Sequence, residues 1–242
     1  MWMIESYWKK YLWEKNNIMF NCVKLIKTKN SDFNPYQNNG GTIISIAGEN
    51  FCIIASDTRY SAGFSILTRF QTRITKISNT ILLATSGMFA DIRIIQKHLK
   101  ENITEYQGGK EDLSINSSAF YLSSVLYSRR FFPYYTFNIL SGLEKNNKGS
   151  VYSFDAVGSF EKLKFSCTGS GQSLIQSILE ASYGEKARNF FFSIKSLNDA
   201  VALVKEFFIK AGKRGIYIGD GLQIFVVTKK GILVENSTLR VD

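Results

Sequence analysis

Hydrophobic and polar positions along the chain follow two different periods, which change from block to block. Short apolar runs bounded by Gly, Asn, Ser or Lys are typical of β-strands. Such runs occur within residues 40–48, 51–59, 74–77, 80–85, 136–143, 150–154, 165–168, 222–228 and 232–236. Short turns such as Ser78-Asn79 and Lys229-Lys230-Gly231 separate neighbouring runs, so we expect hairpins.

Four other segments carry apolar residues at the 3.6-residue period of an amphipathic helix. They lie within residues 92–107, 115–132, 172–181 and 197–212. We predict that Gly108-Gly109 ends the first helix and that Ser114 caps the start of the second. The second helix is expected to run toward Phe132, where Pro133 stops it.

The order of these elements predicts the fold class. Strands come first, then two helices, strands, two helices and a final strand pair. Hairpin connections indicate antiparallel sheets, and the strands are too apolar for either sheet to have one face in water. Two sheets packed face to face, with a helix pair on each outer side, would bury every apolar stripe. We therefore predict an α+β fold, a four-layer α-β-β-α sandwich.

The length of 242 residues, with 45% apolar residues, fits one large domain that follows an N-terminal arm. A turn-rich stretch at residues 34–41 marks the boundary, so we predict an arm over residues 1–39 and a domain over residues 40–242. Glu5 and Glu14 interrupt any signal-peptide core in the arm. No apolar stretch is long enough to predict a membrane span.

The formal net charge of +10 makes nucleic-acid binding an alternative that has to be considered. The basic residues are scattered, however, and a partner with an acidic surface explains the charge equally well. Cys22, Cys52 and Cys167 are widely spaced and predict neither a disulfide framework nor a zinc site. The single histidine, His98, lies in a helical pattern, so histidine-dependent catalysis is not expected. We predict no cofactor and no metal.

The candidate chemistry lies at the start of the first strand. Thr42 follows Gly40-Gly41, and cleavage after Gly41 would turn its hydroxyl into the nucleophile of an N-terminal residue. An acid and a base at a fixed distance downstream would complete such a site. An active hydrolase that uses Thr42 is therefore one hypothesis.

The motifs around this site resemble the β-type subunits of the 20S proteasome, members of the N-terminal-nucleophile hydrolase superfamily. The resemblance extends from Asn34 to Asp242. Its motifs are Gly40-Gly41-Thr42, Ala55-Ser56-Asp57-Thr58-Arg59, Ser86-Gly87, Gly169-Ser170-Gly171 and Ile218-Gly219-Asp220. A second set is similar to one non-catalytic subunit type of this family, namely Gly63-Phe64-Ser65-Ile66, the block from Tyr127 to Tyr135, and Val151-Tyr152-Ser153-Phe154-Asp155.

Aligning the chain on Asp57 tests the catalytic role that the resemblance implies. The family's carboxylate, which tunes the α-amine, falls on Asp57 and is kept. The family's nucleophile position falls on Gly41, and Thr42 comes one residue too late. Strand side chains alternate between faces, so Thr42 would need a bulge or a slipped register to reach that position. The family's lysine falls on Arg73, whose forked and permanently charged head is a poor substitute.

The remaining family positions are also altered. Ser170 matches the family's serine at a helix start, although it fits an ordinary helix cap equally well. The family's later aspartate and its companion serine fall on Gly215 and Ile218, which offer no acid and no hydroxyl. We therefore predict no catalytic residues, and a structural role for Asp57 and Arg59 through an ion pair or turn hydrogen bonds.

The resemblance also implies partners and a location. It places the chain in a ring with six other β subunits, against an α ring and the opposite β ring, in a particle that degrades proteins in cytoplasm and nucleus. It places the turn at Asp155 and Ala156 in the wall of the neighbouring chymotrypsin-like subunit's substrate pocket. The alternative is that Asp155 only satisfies the backbone of its own turn.

Overall fold

Ten strands form two five-stranded antiparallel sheets in the computed structural model, which describes residues 35–107, 113–183 and 196–241. The first sheet contains β1 (Thr42–Ala47), β2 (Phe51–Asp57), β10 (Phe165–Gly169), β11 (Gly221–Thr228) and β12 (Gly231–Thr238). The order of these strands across the sheet is β10-β1-β2-β11-β12.

The second sheet contains β5 (Ile74–Lys76), β6 (Ile81–Gly87), β7 (Thr136–Leu143), β8 (Gly149–Phe154) and β9 (Phe160–Leu163). The order of these strands is β5-β6-β7-β8-β9, and every neighbouring pair is antiparallel. A separate hairpin consists of β3 (Tyr60–Ala62) and β4 (Ser65–Thr68).

Four helices flank the sheets in the described part of the chain. They are α1 (Phe89–Gln107), α2 (Ile115–Tyr127), α3 (Gln172–Tyr183) and α4 (Leu197–Gly212). The predicted N-cap Ser114 is confirmed, because its hydroxyl accepts a hydrogen bond from the Ser117 backbone N–H at 3.1 Å. Ser196 caps α4 in the same way, through the N–H of Asp199.

Alternation along the strands builds three apolar layers from one sequence pattern. In β1, Ile44 and Ile46 face α3 and α4, whereas Ile43 faces the second sheet. In β6, Leu83 faces α1 and α2, and Leu82 faces the first sheet. Both sheets are therefore covered on both faces, which confirms the predicted four-layer α-β-β-α sandwich.

Three strands escaped the sequence analysis because they are short and no buried face marks them as strands. β3 has only three residues, and β4 and β9 are largely exposed. The predicted end of α2 near Phe132 is wrong: the helix ends at Tyr127. The N–H groups of Arg129 and Arg130 bond three residues back rather than four, so the chain tightens into turns before Pro133.

Two regions named in the sequence analysis lie outside the described residues, namely most of the N-terminal arm and Gly108-Gly109. Residues 37–242 form one compact unit. None of the described helices is long and apolar enough to cross a membrane.

Candidate functional site

The start of β1 is held in an unusual backbone conformation. Gly40 and Gly41 have φ angles of 72° and 95°, in the left-handed region that favours glycine. Asn39 anchors the approach to this turn, since its side chain donates to Ser61 O and accepts the N–H of Phe89 at the start of α1. The Gly41 carbonyl accepts the N–H of Ser170 at 3.0 Å.

The space beside Gly41 is filled by Arg73. A Cβ built on Gly41 would lie 2.1 Å from Arg73 Cζ and 2.3 Å from its Nε, far inside van der Waals contact. Arg73 is fully buried and donates to the carbonyl of Arg59. The position that the family resemblance assigns to the nucleophile therefore has no side chain and no room for one.

Thr42 points to a different face of the sheet. Its side chain is fully buried, and its Oγ1 accepts the N–H of Gly171 at 2.9 Å and lies 3.3 Å from Ser170 Oγ. It shares the face of β1 with Ile44, toward α3 and α4. β1 pairs with β2 and β10 in unbroken register, so nothing moves Thr42 toward the Gly41 position.

Asp57 connects the two sides of this site. Its Oδ1 accepts the backbone N–H of Thr42 at 2.8 Å and lies 3.4 Å from Arg73 Nε. Burial raises the pKa of the Asp57 carboxyl to about 6, although Arg73, the N–H groups of Thr42 and Gly219, and the charge of Arg59 all oppose the shift. The carboxylate thus fixes the start of β1 against the buried guanidinium.

The expected structural role of Arg59 involves a carboxylate far away in the sequence. Arg59 Nε donates to Asp220 Oδ2 at 2.8 Å, across 161 residues, and Arg69 donates to the other oxygen. Burial would raise the pKa of Asp220, but hydrogen bonds and charge from the two arginines outweigh it and hold the pKa below its ordinary value. Asp57 and Arg59 therefore serve in separate ion pairs.

The sequence analysis did not predict that an ion pair connects Arg59 with Asp220. Both of its ends lie in motifs that the analysis singled out, Asp57-Thr58-Arg59 and Ile218-Gly219-Asp220. Their proximity depends on the pairing of β2 with β11, which places Asp57 opposite Leu222. Asp220 has a φ of 64°, a conformation that Asp and Asn tolerate better than most residues, but this angle is visible only in the structure.

An apolar side chain occupies the part of the site where the family has polar groups. Ile218 is buried in the cluster between the first sheet and α3 and α4. A Cβ built on Gly171 or Gly215 would lie 2.7 Å or 3.1 Å from Ile218 Cδ1. The structure therefore brings Gly41, Thr42, Asp57, Arg73, Ser170 and Ile218 together, but it places no carboxyl or hydroxyl at positions 215 and 218.

The described part of the chain offers neither a reactive thiol nor a metal site. Cys52 and Cys167 are buried free thiols, and burial raises the pKa of each to about 12, so neither is a reactive thiolate. No cluster of three or more metal-ligating side chains exists among the described residues.

The turn at Asp155 and Ala156 lies at the far end of β8. Asp155 is exposed, and its Oδ1 accepts the backbone N–H groups of Val157 at 3.0 Å and Ser159 at 2.8 Å. The Ser123 hydroxyl of α2 donates to Gly158 O at 2.6 Å and fixes the turn against that helix. Asp155 therefore satisfies its own turn and also presents a carboxyl group to solvent.

Comparisons with known proteins agree with this geometry. The profile of the family described as "Proteasome subunit" matches residues 37–227. The chain belongs to the proteasome subunit family. It is 40% identical over 221 residues to "Proteasome subunit beta type-1" of Arabidopsis thaliana, which covers 88% of this chain and 99% of that protein.

The same relationship extends to animal and fungal relatives. "Proteasome subunit beta type-1" of Drosophila melanogaster is 38% identical over 88% of this chain and 93% of its own. "Proteasome subunit beta type-6" of Saccharomyces cerevisiae is 37% identical over 87% and 92%. The sequence analysis predicted that this proteasome subunit resembles one β type of the family. The relatives named β type-1 and β type-6 confirm that resemblance.

The buried carboxyl group of Asp57 predicts a specific pH dependence. Its pKa rises from 3.8 in the unfolded chain to about 6, so the stability it contributes is fully present below pH 3.8 and is lost as the pH rises through 6. That loss amounts to about 3 kcal/mol. Asp57→Asn has no carboxyl group at this position, so it does not show this loss. The free energy of unfolding of the variant minus that of the wild type should therefore increase by about 3 kcal/mol between pH of about 3.5 and 7.

Denaturant titrations of both chains across this pH range measure the difference. Contributions from other groups, Asp220 included, are common to the two chains and cancel. Parallel stability curves over the whole range would show that the pKa of Asp57 is not raised.

Proposed function

We propose that this chain is a non-catalytic structural β subunit of the 20S proteasome core, which completes the β ring of the particle that degrades proteins. One observation carries the proposal: the guanidinium of Arg73 occupies the space that a nucleophilic side chain at position 41 would need. A threonine protease of this class requires a hydroxyl there.

The surroundings of position 41 support the same conclusion. A lysine would tune the α-amine, whereas Arg73 stays protonated and is held by Asp57 and the Arg59 carbonyl. Gly215 and Ile218 supply no proton acceptor and no hydroxyl. When catalytic groups act as a unit, the loss of one member already removes most of the rate enhancement. The absence of several members at once therefore supports a subunit without turnover.

The partners follow from the place of such a subunit in the particle. It contacts the β subunits on either side in a ring with six others, the α ring, and the opposite β ring, and it works in cytoplasm and nucleus. The buried ion pairs and the filled active-site position then serve the shape of the subunit rather than chemistry.

Native mass spectrometry of particles purified through a tag on this chain tests the proposal. We expect one copy of the chain in each seven-membered β ring, together with α subunits. Recovery of the folded chain as a monomer, or in complexes without other proteasome subunits, would refute the ring role.

The turn at Asp155 and Ala156 provides a separate prediction within this proposal. As part of the wall of the neighbouring chymotrypsin-like subunit's pocket, the Asp155 carboxylate favours basic over neutral side chains there. Asn at this position still accepts the N–H groups of Val157 and Ser159, so Asp155→Asn changes charge while keeping the turn.

We expect Asp155→Asn to lower the preference of that neighbour for basic over neutral peptides several-fold, with normal assembly. Hydrolysis of a matched peptide pair by purified particles measures the ratio. Glu161→Gln, an exposed charge change on β9, is the control. An unchanged ratio in Asp155→Asn would refute the pocket role, and Asp155 would then serve only to stabilise its own turn.

A further inference from the structure

The segment after α2 carries an unusual exposed combination of aromatic and arginine side chains. Tyr127, Arg129, Arg130 and Phe131, here called the aromatic–arginine surface, are all exposed, and Phe131 is 88% exposed. Exposed apolar groups of this size are costly in water and mark interaction sites when they cluster. Tyr, Phe and Arg are also the residues enriched at the energetic centres of protein interfaces.

The side chains of this surface are arranged in advance of any partner. Arg130 Cζ lies 4.3 Å from the ring centroid of Phe131 and 5.3 Å from that of Tyr127, and Arg130 donates to the Tyr127 hydroxyl. Arg129 lies over the ring of Tyr134 at 5.5 Å. Such stacking reduces the conformational freedom that an arginine loses on binding.

The charges of this surface are available to a partner. The ion pairs found among the described residues involve neither Arg129 nor Arg130. A guanidinium that lies over a ring can still bind a carboxylate through its edge N–H groups in a forked geometry, although Arg130 already donates one of them to the Tyr127 hydroxyl. The matching partner surface therefore has carboxylates around an apolar depression.

Single-stranded nucleic acid is the alternative partner, because its bases stack on aromatic rings that lie beside arginines. Guanidinium groups lie over the rings of Tyr127, Phe131 and Tyr134 on one side. The crosslinking measurement below distinguishes a protein partner from a nucleic acid.

The location of the surface connects it to the turn of the proposed pocket wall. A Cβ built on Gly158 would lie 2.5 Å from Ser123 O and 3.2 Å from Tyr127 N, so the turn rests directly on the end of α2. A subunit that meets Asp155 therefore also approaches Tyr127 and the residues after it.

We propose that the aromatic–arginine surface docks a neighbouring protein subunit through carboxylates that bind Arg129 and Arg130 around an apolar depression that receives Phe131. This inference rests on the proposed place of the chain in the β ring. It adds the residues and the chemistry of one contact.

Competitive incorporation into the particle tests the inference. Wild-type chain and the double variant Arg129→Gln, Arg130→Gln are co-expressed, and their ratio in purified particles is compared with their ratio in the soluble pool. The loss of a hot-spot arginine weakens binding by about thirty-fold or more, so we expect about thirty-fold enrichment of the wild type. Arg93→Gln, which removes an exposed arginine stacked on Phe89 of α1, is the matched control and should incorporate at parity.

A second measurement leaves both arginines in place. Phe131→p-benzoylphenylalanine is photo-crosslinked within the particle, and we expect one protein subunit to be labelled, at a peptide that contains Asp or Glu. Crosslinking to nucleic acid, absence of a protein adduct, or incorporation of the double variant at parity would overturn the inference while the ring role stands. Absence of the wild-type chain from particles would overturn the proposed function, and this inference with it.

Discussion

Replacing Asp220 by Asn is expected to destabilise the subunit by at least about 3 kcal/mol, because it removes one member of a buried ion pair. Asp220 is almost completely buried and receives hydrogen bonds from Arg59 and Arg69. Asn has the same shape and tolerates the φ of 64° at this position, so the variant changes the charge with little change in backbone strain. Equilibrium denaturation of the wild type and the variant measures the difference.

Glu101→Gln is the control for the loss of Asp220. It breaks an exposed pair with Lys97 on α1, and such pairs contribute less than about 1 kcal/mol. A loss in Asp220→Asn as small as that of the control would show that the network around Arg59 does not hold the fold together.

A side chain at position 41 is expected to produce the second large effect. Gly41→Ala combines the strain of a positive φ with a clash against Arg73, and overpacking of this kind costs about 1–3 kcal/mol beyond the strain. Gly63→Ala is the matched control, because Gly63 has a φ of 56° and nothing within 4 Å of its Cβ position. The difference between the two losses of stability reports the clash together with the larger strain of the φ of 95° at Gly41, and the double variant below separates these two contributions.

The clash itself can be tested by shortening the arginine. Arg73→Lys keeps the positive charge beside Asp57 and leaves more room at Gly41. In the double variant Gly41→Ala, Arg73→Lys we expect part of the stability to return, as a favourable coupling in a double-mutant cycle. Strictly additive losses would mean that Arg73 does not fill the position of the missing side chain.

Much of the fold could be predicted from the sequence because the apolar residues of each strand and helix follow the period of that element. Ile43 and Ile44 face opposite layers, and the alternation that puts them there is visible in the residues themselves. β9 could not be found in this way, because its Phe-Glu-Lys-Leu lies at an exposed sheet edge and pairs only with β8. At the end of α2, Pro133 gave a stop signal, but local bonds to the Leu126 and Tyr127 carbonyls ended the helix first.

Part of the site could also be predicted from the sequence. Counting from Asp57 was enough to place Gly41 and Arg73 at the positions that matter. The count could not reveal that the guanidinium fills the space beside Gly41, where a built Cβ would lie 2.1 Å from Arg73 Cζ, since this placement depends on the backbone of two sheets. Nor could it pair Arg59 with Asp220, because their contact across 161 residues requires the β2–β11 register.

The central claim is that this subunit occupies the ring without a working nucleophile. The intact mass of the subunit, taken from native particles after treatment with an electrophilic inhibitor of threonine proteases, tests it most directly. The account predicts a chain that still carries Gly41 in front of Thr42 and has no inhibitor adduct, while other subunits of the same particle are labelled. A chain that begins at Thr42 and carries the inhibitor there would contradict it.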